Sequence, residues 1–319
     1  MKAIVQHGYG SPDVLSLREI DTPVAGDDGV LVRISAASVN AADWHLSQGL
    51  PRFLGRLLPI SRGSVRGFDL AGSVESVGKN VTRFKPGDEV FGTGMGTFAE
   101  YVSTTQDRLA LKPRGLSFEQ AAALPVAGFT ALQGLRDKGR VQPGQRVLIY
   151  GAGGGVGTFA VQIAKSLGAH VTAVSCTSNV DLLRSIGADE VIDYTKEDFT
   201  RGGERYDVLF DIGANRSFAE CRRVMAPNGT LVLAGAAKGL WAIASRLLKA
   251  PLLSRMGSQR FAPFLARTKH EDLVALKDLV EAEKLSPVID RRYPLSEAPD
   301  AVRYVGTGAA RGKVVISVP

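Results

Sequence analysis

The sequence predicts an α/β fold in which a β-rich domain precedes a doubly wound parallel sheet. Before Ser117, short runs of alternating apolar and polar residues are separated by turn-forming residues, as in antiparallel β structure. From Ser117 onwards, apolar runs of strand length alternate with segments of helical periodicity, which is typical of βαβ units. A glycine-rich loop at residues 151–157 joins one such strand to one such helix.

The β-rich domain is predicted to contain short strands bounded by turns. Strands are expected at residues 2–6, 30–37, 70–77, 89–92 and 98–103. Turns are expected at residues 25–29 and at Pro86-Gly87-Asp88, which precedes an apolar pair. This pattern predicts a barrel or a sandwich.

The parallel sheet is predicted from a regular alternation of elements. Strands are expected at residues 147–150, 170–175, 190–192, 206–211 and 230–234, and helices at 118–124, 128–138, 156–167, 180–186 and 218–225. Gly168 is expected to end the helix at 156–167 as a glycine C-cap. Residues 236–269 are basic and apolar, and their pattern assigns no element.

The C-terminal segment is expected to return to the β-rich domain. Its predicted elements are a helix at 272–284, a strand at 288–293, a helix at 296–304 with Ser296 as N-cap, and a strand at 313–318. The first domain then comprises residues 1–124 and 266–319, and the second domain comprises residues 125–265.

Length and composition indicate a globular chain with two cores. Of its 319 residues, 45% are hydrophobic and 22% are charged. No apolar run approaches the ~20 residues of a membrane span. Cys176 and Cys221 belong to no spaced motif, which fits a reducing compartment, and the N-terminal residues predict a strand and not a signal peptide. A cytoplasmic location is therefore expected.

The basic residues, which give a net charge of +7, are enriched at residues 52–66 and 238–269. In the second region cations alternate with apolar residues, so it could lie on an anionic membrane surface. The favoured alternative is a solvated cationic face together with a cleft for a phosphate-bearing cofactor. Aromatic residues are not interleaved with the cations, so no nucleic-acid partner is expected.

The glycine loop predicts a site for the pyrophosphate of a dinucleotide cofactor. A strand precedes the loop and a helix follows it, which is the context that such a site requires. Glycines there permit a tight turn, a close approach of phosphate to the backbone, and close packing of helix against strand. The residues expected at the cofactor are Ala152, Gly153, Gly154, Gly155, Val156 and Gly157. The alternative is a strand–helix turn that binds no ligand.

Several motifs resemble those of the medium-chain dehydrogenase/reductase superfamily. They are Asn40-x-x-Asp43, Gly72-x-Val74-x-x-Val77-Gly78, the residues 85–90, the residues 98–101, the loop at 151–157 and the residues 311–315. Within the superfamily, the sequence is similar to the zinc-free quinone oxidoreductase-like branch. The resemblance implies a GroES-like β-rich catalytic domain and a Rossmann domain, with the cofactor between them. Relatives are often homodimers, so a homodimer is a possible assembly.

A zinc site is not expected in this chain. Catalytic zinc has about three protein ligands drawn from Cys, His, Asp and Glu. Zinc alcohol dehydrogenases of the superfamily place a cysteine in the segment 39–41, and a histidine and a glutamate near 67–69. Here these positions hold Asn40 and Phe68, and Asp69 is the carboxylate that is left. The four histidines are dispersed along the chain.

Without a metal to stabilise an alkoxide, reduction of an activated acceptor is the favoured chemistry. The resemblance implies hydride transfer from a nicotinamide cofactor to a quinone or an α,β-unsaturated carbonyl (an enone). One alternative is an enzyme like the alcohol or aldehyde dehydrogenases, which would need the metal. Another is a cofactor-binding sensor or membrane-surface protein with little turnover, since fold alone does not determine function.

Three polar residues are candidates for the substrate end of the site. The resemblance implies that Asn40 and Asp43 lie beside the nicotinamide, where Asn40 would orient the substrate or bind its carbonyl oxygen. The alternative is that Asn40 caps the helix at 41–47, with Asp43 in its first turn. His45 stands where several relatives carry tyrosine, and it could supply a proton. The alternative for His45 is a polar position on a helix face.

The segment after the second strand of the parallel sheet favours NADPH, with NADH possible. NAD-specific sites usually have an acidic residue there for the ribose 2′-hydroxyl, whereas this segment has hydroxyl groups and no acid. It also lacks the Lys or Arg of many relatives. The residues expected at the adenosine end are Ser175, Thr177, Ser178 and Tyr194.

Further cofactor contacts follow from the resemblance alone. Thr130 is expected near the nicotinamide, and Gly235 beside the cofactor. Arg311 and Lys313 are expected to face the cleft and meet the pyrophosphate. The alternative for Arg311 and Lys313 is a pair of solvated cations at a turn. The substrate walls are expected in residues 50–66 and 240–264.

Overall fold

A computed structural model describes residues 1–49, 64–235, 250, 254 and 257–319. They form two compact units. The first unit comprises Met1–Ala127, Thr268–Glu283 and Pro287–Pro319, and the second comprises Gly128–Arg267 and Lys284–Ser286. The predicted domain limits, residues 1–124 with 266–319 and residues 125–265, stay a prediction, as does a catalytic role for the first domain.

The elements are as follows in chain order. The strands are β1 (Lys2–Gln6), β2 (Leu15–Glu19), β3 (Gly29–Val39), β4 (Asp69–Val77), β5 (Glu89–Thr93), β6 (Tyr101–Thr105), β7 (Leu109–Leu111), β8 (Arg146–Tyr150), β9 (His170–Ser175), β10 (Glu190–Asp193), β11 (Tyr206–Asp211), β12 (Met225–Leu233), β13 (Arg260–Pro263), β14 (Ile289–Pro294) and β15 (Lys313–Ser317). The helices are α1 (Ala41–Gln48), α2 (Phe118–Ala122), α3 (Pro125–Leu132), α4 (Gly155–Ser166), α5 (Val180–Ser185), α6 (Phe218–Val224), α7 (His270–Glu281) and α8 (Ala298–Gly306).

The first unit is built around the long strand β3. This strand pairs antiparallel with β4, β6 and β15, so it is hydrogen-bonded to segments from both ends of the chain. The sheet has the order β14-β15-β3-β4-β5-β7, with β6 paired to β3 outside that path. Its alternating apolar residues bury Val32, Ile34 and Leu70 in one core, as the period of two in these runs predicts.

The second unit contains a six-stranded sheet in the order β10-β9-β8-β11-β12-β13, and all its pairings are parallel. The order reverses between β8 and β11, which is the switch point where open α/β sheets bind ligands. The central strands are apolar on both faces, as strands covered by helices must be. The predicted doubly wound parallel sheet is thus confirmed.

Local differences from the sequence prediction have physical causes. The strands β2, β7 and β13 were not predicted, since β2 buries little and β7 is three residues long. Ser296 is not the N-cap of α8, so that expectation is wrong. Residues Leu295–Glu297 form a 3₁₀ turn and the helix starts at Ala298, because Pro299 favours the first turn. Gly168, with φ of +80°, does end α4 as expected.

Candidate functional site

The first unit holds a buried polar cluster of Ser38, Asn40, Asp69 and Lys313, here called the Asp69 cluster. The exposed fractions of these residues are 0%, 8%, 0% and 2%. Strand register brings them together, because Ser38 on β3 pairs with Asp69 on β4. Lys313 begins β15, where the next residue pairs with the residue before Asn40. The cluster therefore joins three strands that are far apart in sequence.

Asp69 accepts hydrogen bonds at both carboxylate oxygens. Its Oδ2 accepts from Ser38 Oγ at 2.7 Å, from Asn40 Nδ2 at 2.8 Å and from Lys313 Nζ at 3.2 Å. Its Oδ1 accepts from the Val126 N–H at 2.9 Å. A buried carboxylate needs such donors because burial penalises its charge.

Lys313 has different partners from those that we expected. Its Nζ donates to the Val39 carbonyl at 3.2 Å, to Asn40 Oδ1 at 2.7 Å and to Asp69 Oδ2. An ammonium has three hydrogens, and these three acceptors use them all inside the first unit. The contact of Lys313 with a cofactor pyrophosphate stays a prediction. Arg311 is exposed, and its cofactor contact stays a prediction.

Asn40 and Asp43 lie together at the start of α1. Asn40 is the N-cap residue, as the helix-cap interpretation expected. The cap contact comes from Asp43, whose Oδ2 accepts from the Asn40 N–H at 2.8 Å. The Asn40 side chain is instead held in the Asp69 cluster. A role of either residue at a nicotinamide stays a prediction.

Asp43 is 3% exposed, and among the described residues its Oδ1 has no hydrogen-bond partner. Burial raises the pKa of Asp43 to about 7, against the opposing effect of the Asn40 N–H. The nearby charge of Asp69 raises it further, whereas Lys313 and Arg66 lower it. A carboxyl group with such a pKa can hold a proton near neutral pH, as groups at functional sites often do.

His45 lies two residues beyond Asp43 on α1, where it is half-buried. Its ring packs edge-on against Trp44, with 5.0 Å between ring centroids. Burial lowers the pKa of His45 below its ordinary value. The imidazole is therefore mostly neutral at pH 7. Its role as a proton source stays a prediction.

The glycine loop in the second unit has the geometry of a phosphate site. Gly151 has a φ of +90°, which glycine tolerates best. A Cβ on Gly157 would lie 2.3 Å from the Gly151 carbonyl oxygen, so a side chain there would collide with backbone. A Cβ on Gly154, the N-cap of α4, would meet only that same oxygen, at 3.7 Å. The helix N-terminus is therefore open to an anion.

The carboxyl ends of β9 and β10 form a second polar group. Ser175 Oγ accepts from Asn179 Nδ2 at 2.9 Å. The Thr177 hydroxyl donates to Asp193 Oδ2 at 2.5 Å. Hydrogen bonds from Thr177 and then Thr195 lower the pKa of Asp193 to about 2.

The sequence did not indicate Asp193 as an acid beside Thr177, because Asp193 lies outside the segment that follows the second strand. Asp193 ends β10 in register with Ser175, and the carboxyl ends of neighbouring parallel strands meet at one edge. Lys196 Nζ lies 3.4 Å from the Asp193 carboxylate, and Ser178 and Tyr194 are exposed nearby in sequence.

Two other expected cofactor residues are in the described part of the chain. Thr130 is half-buried on α3. Gly235 follows β12, and a Cβ on it would lie 2.0 Å from the Ile212 carbonyl oxygen, so only glycine fits there. Their contacts with a cofactor stay predictions. The expected substrate walls at 50–66 and 240–264 lie mostly outside the described residues.

Within the described ranges, no group of three or more His, Cys, Asp or Glu residues could hold a metal ion. No helix of the described part is long and apolar enough to cross a membrane. Most of the basic and apolar stretch at 238–269 lies outside the described residues.

Two family models match the chain. The model described as an alcohol dehydrogenase GroES-like domain matches residues 26–114. The model described as a zinc-binding dehydrogenase matches residues 186–316. The predicted GroES-like and Rossmann architecture is thus confirmed.

Characterised relatives match along nearly the whole chain. The 2-methylene-furan-3-one reductase of Solanum lycopersicum is 36% identical over 99% of this chain and 79% of its own length. The chloroplastic NADPH-dependent alkenal/one oxidoreductase of Arabidopsis thaliana is 34% identical over 99% of this chain and 79% of its own length. The solved structure of the quinone oxidoreductase from Coxiella burnetii has a TM-score of 0.89 and 33% identity, covering 100% of this chain and 99% of that one. The chain therefore belongs to the medium-chain dehydrogenase/reductase superfamily, in its quinone oxidoreductase-like branch.

Proposed function

We propose that the chain is a zinc-independent reductase that transfers hydride from NADPH to a quinone or an α,β-unsaturated carbonyl. The observation that carries this proposal is that the Asp69 carboxylate accepts hydrogen bonds from four donors, one of which is Lys313. The names of the relatives support the substrate class, since they include an alkenal/one oxidoreductase and a quinone oxidoreductase.

The residues do not fit a catalytic zinc ion. Zinc requires deprotonated ligands with lone pairs directed at the metal. Asp69 directs both oxygens at hydrogen-bond donors, and the ammonium of Lys313 lies 3.2 Å from it. A second cation at that carboxylate would be repelled by Lys313. The alcohol dehydrogenase alternative, which depends on a metal, is therefore not favoured.

The residues of the second unit do fit a dinucleotide. The open N-terminus of α4 suits a pyrophosphate, and the group at the ends of β9 and β10 suits an adenosine ribose. When bound, the nicotinamide would supply the hydride. The residues proposed to hold the cofactor are Thr130, Ala152, Gly153, Gly154, Gly155, Val156, Gly157, Ser175, Thr177, Ser178, Tyr194, Gly235 and Arg311.

NADPH is proposed as the preferred donor. Ser178 has an exposed hydroxyl that can donate to a 2′-phosphate, whereas Thr177 gives its single hydroxyl hydrogen to Asp193. Asp193 accepts from both Thr177 and Thr195. Lys196 adds a positive charge at that carboxylate. The NADPH dependence of the alkenal/one oxidoreductase supports the same choice.

At the substrate end, Asn40, Asp43 and His45 are the proposed residues. Hydride addition to an enone or a quinone places negative charge on an oxygen atom, which a fixed N–H donor stabilises. The Asn40 amide is held in place by Asp69 and Lys313, so it suits this role. His45 is proposed to deliver the proton and Asp43 to hold the start of α1.

A turnover panel tests the proposed function. Consumption of NADPH and of NADH would be followed at 340 nm with quinones and enones, and formation of NADPH and NADH from NADP⁺ and NAD⁺ would be followed with alcohols, each before and after dialysis against a chelator. We expect turnover of quinones or enones with NADPH that the chelator does not change. Turnover of alcohols alone, or activity that only zinc restores, would contradict the proposal.

Location and assembly are also proposed. The relative from Arabidopsis thaliana is named as chloroplastic, whereas we propose the cytoplasm for this chain. Fractionation of the source cells tests the location. We propose a homodimer, and light scattering on the purified protein tests this assembly.

A further inference from the structure

We propose that Lys313 is a positioning residue that fixes the orientation of the Asn40 amide, so that one amide N–H is held for the oxygen of the acceptor. This inference rests on the proposed function. It assigns to Lys313 a role inside the first unit, through the contacts with Asn40 and Asp69.

The two neighbours of the Asn40 amide are opposite in hydrogen-bonding type. Lys313 Nζ, which can only donate, is 2.7 Å from Asn40 Oδ1. Asp69 Oδ2, which as a carboxylate can only accept, is 2.8 Å from Asn40 Nδ2. With the amide reversed, an NH₂ group would face the ammonium and an oxygen would face the carboxylate. The network therefore permits one orientation of the amide.

This orientation leaves a defined donor. The amide nitrogen of Asn40 carries two hydrogens, and Asp69 accepts one of them. The second N–H has its direction set by the planar amide, since both ends of that plane are held. A donor that is fixed before the reaction stabilises developing charge better than one that must reorient.

The backbone keeps the three groups in register. Val314 on β15 pairs with Val39 on β3, which places Lys313 next to Asn40. The carbonyl of Val39 accepts the third Lys313 hydrogen at 3.2 Å, so the ammonium is anchored to the same strand that carries Asn40. Lys313 is 2% exposed, so water has little access to replace it.

A merely structural role for Lys313 makes a different prediction. In that case Lys313 would only neutralise Asp69, and its loss would lower stability without acting through Asn40. The two roles separate in a double-mutant cycle, because a residue that acts through Asn40 loses its effect when Asn40 is already truncated.

The kinetic test uses Lys313→Met, Asn40→Ala and the double variant, assayed with NADPH and the best acceptor of the turnover panel. We expect Lys313→Met to lower kcat at least about tenfold, with KM within about threefold, as for partial loss of one fixed donor. We expect no further loss when Lys313→Met is added to Asn40→Ala. Equal losses in both backgrounds would overturn the proposal.

Two further variants complete the design. Lys313→Arg keeps a positive charge beside Asp69, so it replaces Lys313→Met in the cycle if the latter does not fold. The planar guanidinium of arginine is larger than the lysine ammonium and cannot reproduce its three contacts. We therefore expect the same loss in kcat as for Lys313→Met. Lys79→Met removes a 72% exposed lysine side chain and is the matched control, with unchanged kinetics.

A spectroscopic test is independent of activity. Protein labelled with ¹⁵N-asparagine would report the side-chain amide of Asn40, with Asn40→Ala to assign its signals. We expect Lys313→Arg to shift these signals and to speed their exchange with solvent. Unchanged signals would overturn the inference even if the enzyme is active. Shifted signals without any turnover of quinones or enones would instead contradict only the proposed function.

Discussion

Replacement of the buried Asp43 by asparagine tests how burial controls the charge of this site. Asp43 is 3% exposed, and burial raises its pKa from 3.8 to about 7. Asparagine has almost the same shape, and its Oδ1 can still accept from the Asn40 N–H at 2.8 Å. The variant therefore removes the ionisation with little change in packing.

The magnitude follows from linkage between protonation and folding. Since the folded protein holds the Asp43 proton more tightly than the unfolded chain, this proton's contribution to stability is complete below pH 3.8 and is lost as the pH rises to about 7. At about 1.4 kcal/mol per pKa unit, the full loss is about 4 kcal/mol. About 2.5 kcal/mol of that loss falls between pH 5 and pH 8.

The assay compares unfolding free energies of the two proteins at pH 5 and pH 8. Of the two tryptophans, Trp44 lies next to the site on α1, so urea unfolding followed by its fluorescence in a Trp241→Phe background reports the first unit. From pH 5 to pH 8, we expect the free energy of unfolding of Asp43→Asn to rise by about 2.5 kcal/mol relative to that of the parent protein. Any cost of burying the new NH₂ group is the same at both pH values, so it does not affect this change. A difference that does not change with pH would refute the reasoning.

Three other substitutions test the proposed sites. Gly157→Ala places a Cβ 2.3 Å from a backbone carbonyl oxygen, so we expect at least about a hundredfold weaker NADPH binding by calorimetry, while Gly203→Ala, with no atom within 4 Å, binds normally. Since burial lowers the pKa of His45, we expect kcat to fall as the pH rises through a value below 6.5, and His45→Gln to abolish this dependence; a profile that His45→Gln leaves unchanged would exclude His45 as the donor. Ser178→Asp would introduce a carboxylate at the proposed 2′-phosphate site, and we expect the NADPH-to-NADH ratio of kcat/KM to fall at least about tenfold; an unchanged ratio would contradict that placement.

The fold could be predicted from local patterns because its strands and helices have distinct periods. The apolar runs of the parallel sheet and the glycine loop are contiguous in sequence, so they identify the second unit directly. The prediction of Ser296 as a helix N-cap is wrong because Pro299 prefers the first turn of a helix, and this preference competes with a cap at Ser296.

The candidate site could be predicted only in part. Asn40 and Asp43 belong to one motif, and their contact spans three residues. The contact of Asn40 with Lys313 spans 273 residues, and it depends on the pairing of β3 with β15. Sequence spacing contains no information on such a register. For the same reason the sequence did not indicate that Lys313 is a partner of Asp69.

Transfer of deuterium from labelled NADPH tests the central claim most directly. Metal-depleted protein, with its zinc content measured, would be mixed with NADPH that carries deuterium at the transferred position and with an enone. We predict a product with one deuterium on its β-carbon at a rate that does not depend on added zinc. A product without deuterium, or deuterium transfer only after zinc is restored, would contradict the account.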